Sequence, residues 1–269
     1  MEITTPTLLL NKQKCLRNLE RMVLKANKHN LRLSPHVKTH QSLEIARWLR
    51  DFGIFSLTVS SVQMAQKFAA DGWEEITIAF PVNLREAPAI DSLARQTRLN
   101  LLVSDAGVLA KLATSLSAPA GILIEVETGY QRSGLLPDAE AEIEKIISFC
   151  KGHLQFRGFY THPGHSYGKS FNEVAAIHRQ TLKTMRNLKN RYGAGTHTVA
   201  GDTPCCSLMD HFEYLNEITP GNFIFNDLMQ QSAGVCQLQD IAVAVACPVV
   251  AVYPQRKQAV IYGGAVHFS

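Results

Sequence analysis

The chain has 269 residues, of which 46% are hydrophobic and 19% charged, and its net charge is +4. That is the composition of an ordinary globular protein, long enough for one large domain or two small ones. No Lys/Arg block stands out, so nucleic-acid binding has no support, and the longest apolar run, IAVAVACPVVAVY (241–253), is too short for a bilayer and holds Pro248.

Apolar, β-rich runs alternate with helical patterns along the chain. The expected strands are 31–37 (LRLSPHV), 54–59 (IFSLTV), 75–80 (EITIAF) and 98–103 (RLNLLV), then 121–126 (GILIEV), 154–160 (LQFRGFY), 196–200 (THTVA) and 214–219 (YLNEIT). Around and between these strands lie helical patterns. In 12–29, Leu16, Leu19, Met22, Val23 and Ala26 fall on one face at spacings of three and four, with Asn11 as N-cap. Ser42 is expected to cap 43–52, with Gly53 after its end, and segment 62–71 is expected to end at Gly72. Segments 138–151 and 171–192 are amphipathic, and the last helical unit, 205–213, is short.

Strands alternating with helices in this way predict a (β/α)8 TIM-type barrel over residues 11–230. An open doubly wound sheet is the alternative, but no GxGxxG follows the first strand. After residue 222 the texture changes to strands without helices, at 241–253 and 258–265. Residues 1–10 and 231–269 are expected to be strands of a partial β domain, one that begins and stops, as in a fragment of a longer protein.

The N-terminal MEITTPTLLL has no basic region followed by a long apolar core, so no leader is expected. The six cysteines (15, 150, 205, 206, 236, 247) form no CxxC pair. Free thiols in a reducing cytoplasm are expected.

In such a barrel, chemistry sits where the strands end. Strand one is followed by Lys38 between His36 and His40. A lysine at a barrel mouth can form a Schiff base with a carbonyl, and burial with nearby cations lowers its pKa from roughly 10.4. A solvated loop lysine is the commoner fate. Strand five is followed by Glu127, Thr128, Gly129, Tyr130 and Arg132, and strand six by His162 and PGHSYG. GDTP (201–204) and PGN (220–222) follow strands seven and eight, where barrels often bind phosphate. Each alone reads as an ordinary turn; together with Lys38 and Arg132 they favour an anion site.

PHVKTH (35–40), EVETGYQRSG (125–134), GFYTHPGHSY (158–167), GDTP and TPGNFIFNDLMQ (219–230) occur in that order. The set resembles the D-serine dehydratase and D-threonine aldolase family, within the alanine-racemase-like pyridoxal-phosphate enzymes, over nearly the whole chain. The resemblance implies a pyridoxal 5′-phosphate cofactor held covalently by Lys38. It implies His162 beside the cofactor ring, Arg132 at the ring's phenolic oxygen, and Thr203, Gly221 and Asn222 as the phosphate cradle. Tyr160 and Tyr167 are candidates for ring or substrate contacts, with simple packing an equal reading. The implied activity is a lyase acting on a β-hydroxy D-amino acid, as dehydratase or aldolase. An amino-acid racemase and a non-catalytic pyridoxal-phosphate-binding protein are the alternatives on this fold, and a cofactor-free barrel enzyme would leave the motifs unexplained.

Two departures matter. The racemases of this fold carry an arginine before the Pro-Gly of strand eight, where this chain has Thr219, so the ring nitrogen is expected to stay unprotonated. The family's aldolases and dehydratases hold a divalent metal, zinc or manganese, through a His-x-Asp or His-x-Cys pair in the β domain. No such pair occurs before residue 269, and His267 does not fit the position. A homodimer is expected, as for other proteins of the fold.

Overall fold

The computed structural model describes residues 2–267. Its strands are β1 (Thr7–Leu10), β2 (Arg32–Leu33), β3 (Ser56–Val59), β4 (Glu75–Pro81), β5 (Arg98–Val103), β6 (Ala120–Glu125), β7 (Leu154–Thr161), β8 (His197–Ala200), β9 (Glu217–Ile218), β10 (Val243–Ala246), β11 (Val249–Tyr253) and β12 (Gln258–Ile261). The helices are α1 (Lys12–Lys28), α2 (Leu43–Arg50), α3 (Val62–Ala70), α4 (Ala87–Ala94), α5 (Ala106–Ser115), α6 (Glu140–Phe149), α7 (Phe171–Tyr192), α8 (Thr203–Leu208) and α9 (Leu228–Ser232).

β2 to β9 form one eight-stranded sheet in the order β2-β9-β8-β7-β6-β5-β4-β3, every pairing parallel. A bridge between His36 and Thr58 joins the two ends of that order, supported by the Thr58 amide donating to Pro35 O at 3.0 Å. The sheet is thereby closed into the expected (β/α)8 barrel. Leu57, Ile76, Leu101, Ile122 and Phe159 on the strands are fully buried. Such runs bury both faces, as parallel strands under a helical layer require.

The helices form where caps and periodicity direct them. Asn11 accepts the Lys14 amide and Ser42 the Ile45 amide, as N-caps should. α1 buries Leu19, Met22 and Ala26, the face set by its spacing. Gly72, at φ 82°, ends α3: its amide donates to Ala69 O at 2.9 Å, and that of Trp73 to Phe68 O at 3.3 Å.

Several boundaries differ from expectation. The strand at 54–59 starts at Ser56, the helix at 43–52 ends at Arg50, 241–253 divides into β10 and β11, and 258–265 ends at Ile261. Three others have a clear local reason. The first strand is two residues rather than 31–37, because Pro35 lacks an amide donor and residues 37–39 coil into a 3₁₀ turn. The eighth starts at Glu217, not at 214, since Tyr214 sits at φ 70°. The short helix spans Thr203–Leu208 rather than 205–213, because Asp202 caps it by accepting the Cys205 amide.

Outside the barrel, β1 pairs antiparallel with β10, and β11 with β12. Val249, Val250, Val252, Val260 and Ile261 on the second hairpin are exposed. No helix among the described residues is long and apolar enough to cross a membrane.

Candidate active site

The short β2 delivers Lys38 to the carboxyl end of the barrel on a single 3₁₀ turn, Val37–Thr39. Val37 is fully buried and anchors the turn, while Lys38 is exposed at the mouth. The barrel wall still strips enough water from the Lys38 ammonium to lower its pKa, and the charge of Arg132 lowers it further. His36 lies well below the usual histidine range through burial, then the charges of Lys38, His162 and Arg132. His162 is lowered to about 4, chiefly by burial, with Arg132 and Lys38 adding to it. These four groups therefore share one electrostatic neighbourhood. His40 stands apart: its Nδ1 accepts the Ser42 amide at 3.1 Å, and burial lowers its pKa to about 4.

Arg132 rides on an excursion between β6 and α6 whose ends are tied by Leu135 N to Glu125 O and Glu127 N to Leu135 O, both 2.8 Å. Its guanidinium lies 5.2 Å over the Tyr130 ring, and the His165 ring stacks on the same tyrosine at 5.9 Å. Tyr130 also meets His162 edge-on at 5.8 Å. Gly164 makes room for this group, because a Cβ there would lie 2.6 Å from Tyr130 Cε1 and 2.7 Å from His162 Nε2.

The loops after β7, β8 and β9 are linked by hydrogen bonds. His162 Nδ1 meets Gly201 O, the Thr203 amide donates to the Tyr167 hydroxyl at 3.1 Å, and the Asn222 amide donates to Thr203 Oγ1 at 3.0 Å. The chain of bonds ends beside the lysine: the His36 amide donates to Pro220 O at 3.0 Å. Gly201 and Gly221 fit the cradle expected for a phosphate, because each lies where a side chain has no space. A Cβ at Gly201 would collide with Thr219, and one at Gly221 would lie 2.9 Å from both His36 O and Thr39 Oγ1. Tyr167 is raised to about 12 by burial and the nearby Asp202.

Lys38, Arg132, His162, Tyr167, Thr203, Gly221 and Asn222 thus belong to loops around one mouth. Tyr160 sits lower, 2% exposed, in a cluster with Leu102, Leu123 and Val199, and its hydroxyl shares a 3.1 Å hydrogen bond with Thr219 Oγ1. Burial pushes its phenol up. Ser61, Asp105 and Asp202, polar residues that follow strands, are helix N-caps. Sequence reasoning missed Glu125, buried at the end of β6, and Ser166, buried in the 3₁₀ turn after β7, where only a side-chain partner signals a role. All six cysteines are free thiols, and the described residues hold no group of three His, Cys, Asp or Glu side chains fit for a metal.

Known proteins of similar sequence carry related names. The D-serine dehydratase of Dictyostelium discoideum is 27% identical over 99% of this chain and 74% of its own length. The D-threo-3-hydroxyaspartate dehydratase of Delftia sp. (strain HT23) is 26% identical over 98% of this chain and 72% of its own. In fold, the D-threonine aldolase of Filomicrobium marinum superposes with a TM-score of 0.83 at 22% identity, over 97% of this chain and 74% of that one. The family described as alanine racemase, N-terminal domain, matches residues 10–228, and the chain belongs to that family.

Proposed function

We propose that this chain is a pyridoxal-phosphate-dependent lyase of β-hydroxy D-amino acids, and that dehydration is its reaction. The family is pyridoxal-phosphate-dependent. The observation that carries the reading is Lys38: a mouth lysine with a lowered pKa, sharing its surroundings with Arg132, His36 and His162. Dehydration is favoured over aldol cleavage because the two dehydratase relatives align with 99% and 98% of the chain.

When bound, the cofactor supplies an electron-withdrawing ring that weakens the bonds at the substrate's Cα. Lys38 would be the residue that holds the cofactor, through Nζ, and its free amine the base for the proton at the substrate's Cα. Its lowered pKa keeps more of the amine unprotonated for both tasks. Arg132, now over Tyr130, would supply the positive charge for the ring's phenolic oxygen. Thr203, Gly221 and Asn222 would hold the phosphate with Tyr167, and His162, neutral at physiological pH, would meet the ring. Tyr160 would contribute to the floor of the site. The β-hydroxyl would leave as water with the proton that Lys38 took from Cα, and the released enamine, on tautomerising to the imine, would be hydrolysed by another water to a 2-oxo acid and ammonia.

A divalent metal is implied for the hydroxyaspartate dehydratase by a structure described as its metal-free form. The donors among the described residues here do not fit one, so no step is assigned to it. The barrel as residues 11–230, a partial β domain from 1–10 and 231–269, a homodimer and a cytoplasmic location belong to the same reading. The β1–β10 pairing and the six free thiols support the second and the last.

The test is to load the protein with pyridoxal phosphate, add D-threonine with and without a divalent metal, and identify the product. 2-Oxobutanoate and ammonia are expected. Glycine and acetaldehyde would make it an aldolase, L-allothreonine (inversion at Cα alone) a racemase, and no uptake of cofactor would overturn the reading.

A further inference from the structure

Ser166 and Asp202 are 0% and 2% exposed, so neither faces the mouth, yet they join two of its loops. Ser166 Oγ donates to Asp202 Oδ2 at 2.6 Å, and the same oxygen accepts the Cys205 amide at 2.8 Å. Burial raises the Asp202 carboxyl to about 6. Among the described residues no ion pair involves it. A buried acid without a countercharge is costly, and next to an anion cradle it is also electrostatically unfavourable. Capping α8 accounts for its bond to the Cys205 amide but not for the one to Ser166.

What the carboxylate does is geometric. Through one oxygen it fixes both the loop that carries His162 and Tyr167 and the first turn of α8, which carries Thr203. The Thr203–Tyr167 and Thr203–Asn222 bonds lie just outside this joint. We propose that Ser166 and Asp202 are positioning residues that hold the phosphate cradle in its binding geometry before any phosphate arrives. The inference rests on the proposed pyridoxal-phosphate site. It adds two residues that act through Tyr167 and Thr203 without touching the cofactor.

The test compares equilibrium dialysis of pyridoxal phosphate and of pyridoxal, which lacks the phosphate, on the full chain and its variants. Ser166→Ala and Asp202→Ala should each weaken pyridoxal phosphate about tenfold while leaving pyridoxal within about twofold. Asp202→Asn keeps the accepting oxygen and should retain the wild-type ratio of the two affinities. A general loosening of the fold would lower both affinities together, and that result overturns the proposal. So does an unchanged ratio in Ser166→Ala, or an Asp202→Asn variant that loses as much as Asp202→Ala. If Asp202→Ala fails to fold, Ser166→Ala, which removes one hydroxyl, decides alone. Failure of the wild type to prefer pyridoxal phosphate over pyridoxal would instead count against the phosphate site itself.

Discussion

Ser133 holds Glu125 by one carboxylate oxygen: Ser133 Oγ donates to Glu125 Oε1 at 2.8 Å, while Oε2 is buried and has no hydrogen-bond partner. The pair pins the returning limb of the excursion that carries Tyr130 and Arg132. Burial raises the Glu125 carboxyl, and the Ser133 bond and the charge of Arg132 only partly offset this. A carboxyl raised in the folded state stabilises it at acid pH and loses that contribution as the pH rises above its unfolded value of about 4.3. Glu125→Gln is therefore expected to raise Tm relative to wild type at pH 7 and to lose the advantage near pH 4. Thermal unfolding at both values checks this; equal shifts at the two would refute it.

His40 and His162 carry the opposite sign. Both are lowered to about 4, so the unfolded chain binds their protons first as the medium is acidified. Stability should fall by a few kcal/mol as the pH drops from about 6.5 to 4 and then level off with respect to these groups. His40→Asn keeps an acceptor for the Ser42 amide and cannot titrate. It should remove roughly half of that slope, measured by urea unfolding across the range, and leave stability at pH 7.5 nearly unchanged.

Gly221→Ala is expected to damage the mouth more than the fold. Its Cβ would press on the His36 carbonyl and the Thr39 hydroxyl, which flank Lys38 in the chain. Overpacking of this kind costs about 1–3 kcal/mol. Pyridoxal-phosphate binding should weaken by a larger factor than the stability loss accounts for, because the displaced segment is the one bearing the reactive amine. Dialysis and calorimetry on the same sample separate the two.

The far end of the barrel behaves differently. Glu75 is 7% exposed and is held by Arg32 at 2.8 Å and Asn100 Nδ2 at 2.9 Å. Burial alone would raise its carboxyl, but the Arg32 hydrogen bond and charge outweigh it and keep it below the usual range. Glu75→Ala removes Arg32's shortest contact but leaves it partly exposed and near Glu217, and should cost about 1–3 kcal/mol. Activity per folded molecule at 15 °C should stay within about twofold, since Lys38 lies at the opposite end. A specific loss of activity would contradict that separation.

Much of this was legible in the chain. The reading of 171–192 as one amphipathic helix matches α7, and that of 98–103 matches β5, because both segments are long and patterned enough to override their neighbours. Boundaries failed where one residue decided them: Pro35, Tyr214 and Asp202. The motif residues Lys38, Arg132, His162 and Thr203 could be named because strand ends face a common mouth in this fold. The Ser166–Asp202 joint could not, because its partners lie 36 residues apart and meet only once β7 and β8 are side by side. Nor could the position of Arg132 over Tyr130, which depends on the φ and side-chain choices of an irregular excursion.

The closure of the barrel has a kinetic meaning. β2 finds its neighbour in β9, where Leu33 pairs with Ile218, so the first barrel strand waits for nearly the last. A ribosome adding about 5–20 residues per second needs on the order of ten seconds or more to make the intervening chain. Through that interval one edge of β2 is open, and the His36–Pro220 bond that steadies the lysine turn cannot exist. Such non-local pairing makes folding slow and leaves the nascent chain prone to association. The reactive amine is thus kept from its finished surroundings until the barrel has closed, which makes cofactor capture a late event in the life of each molecule.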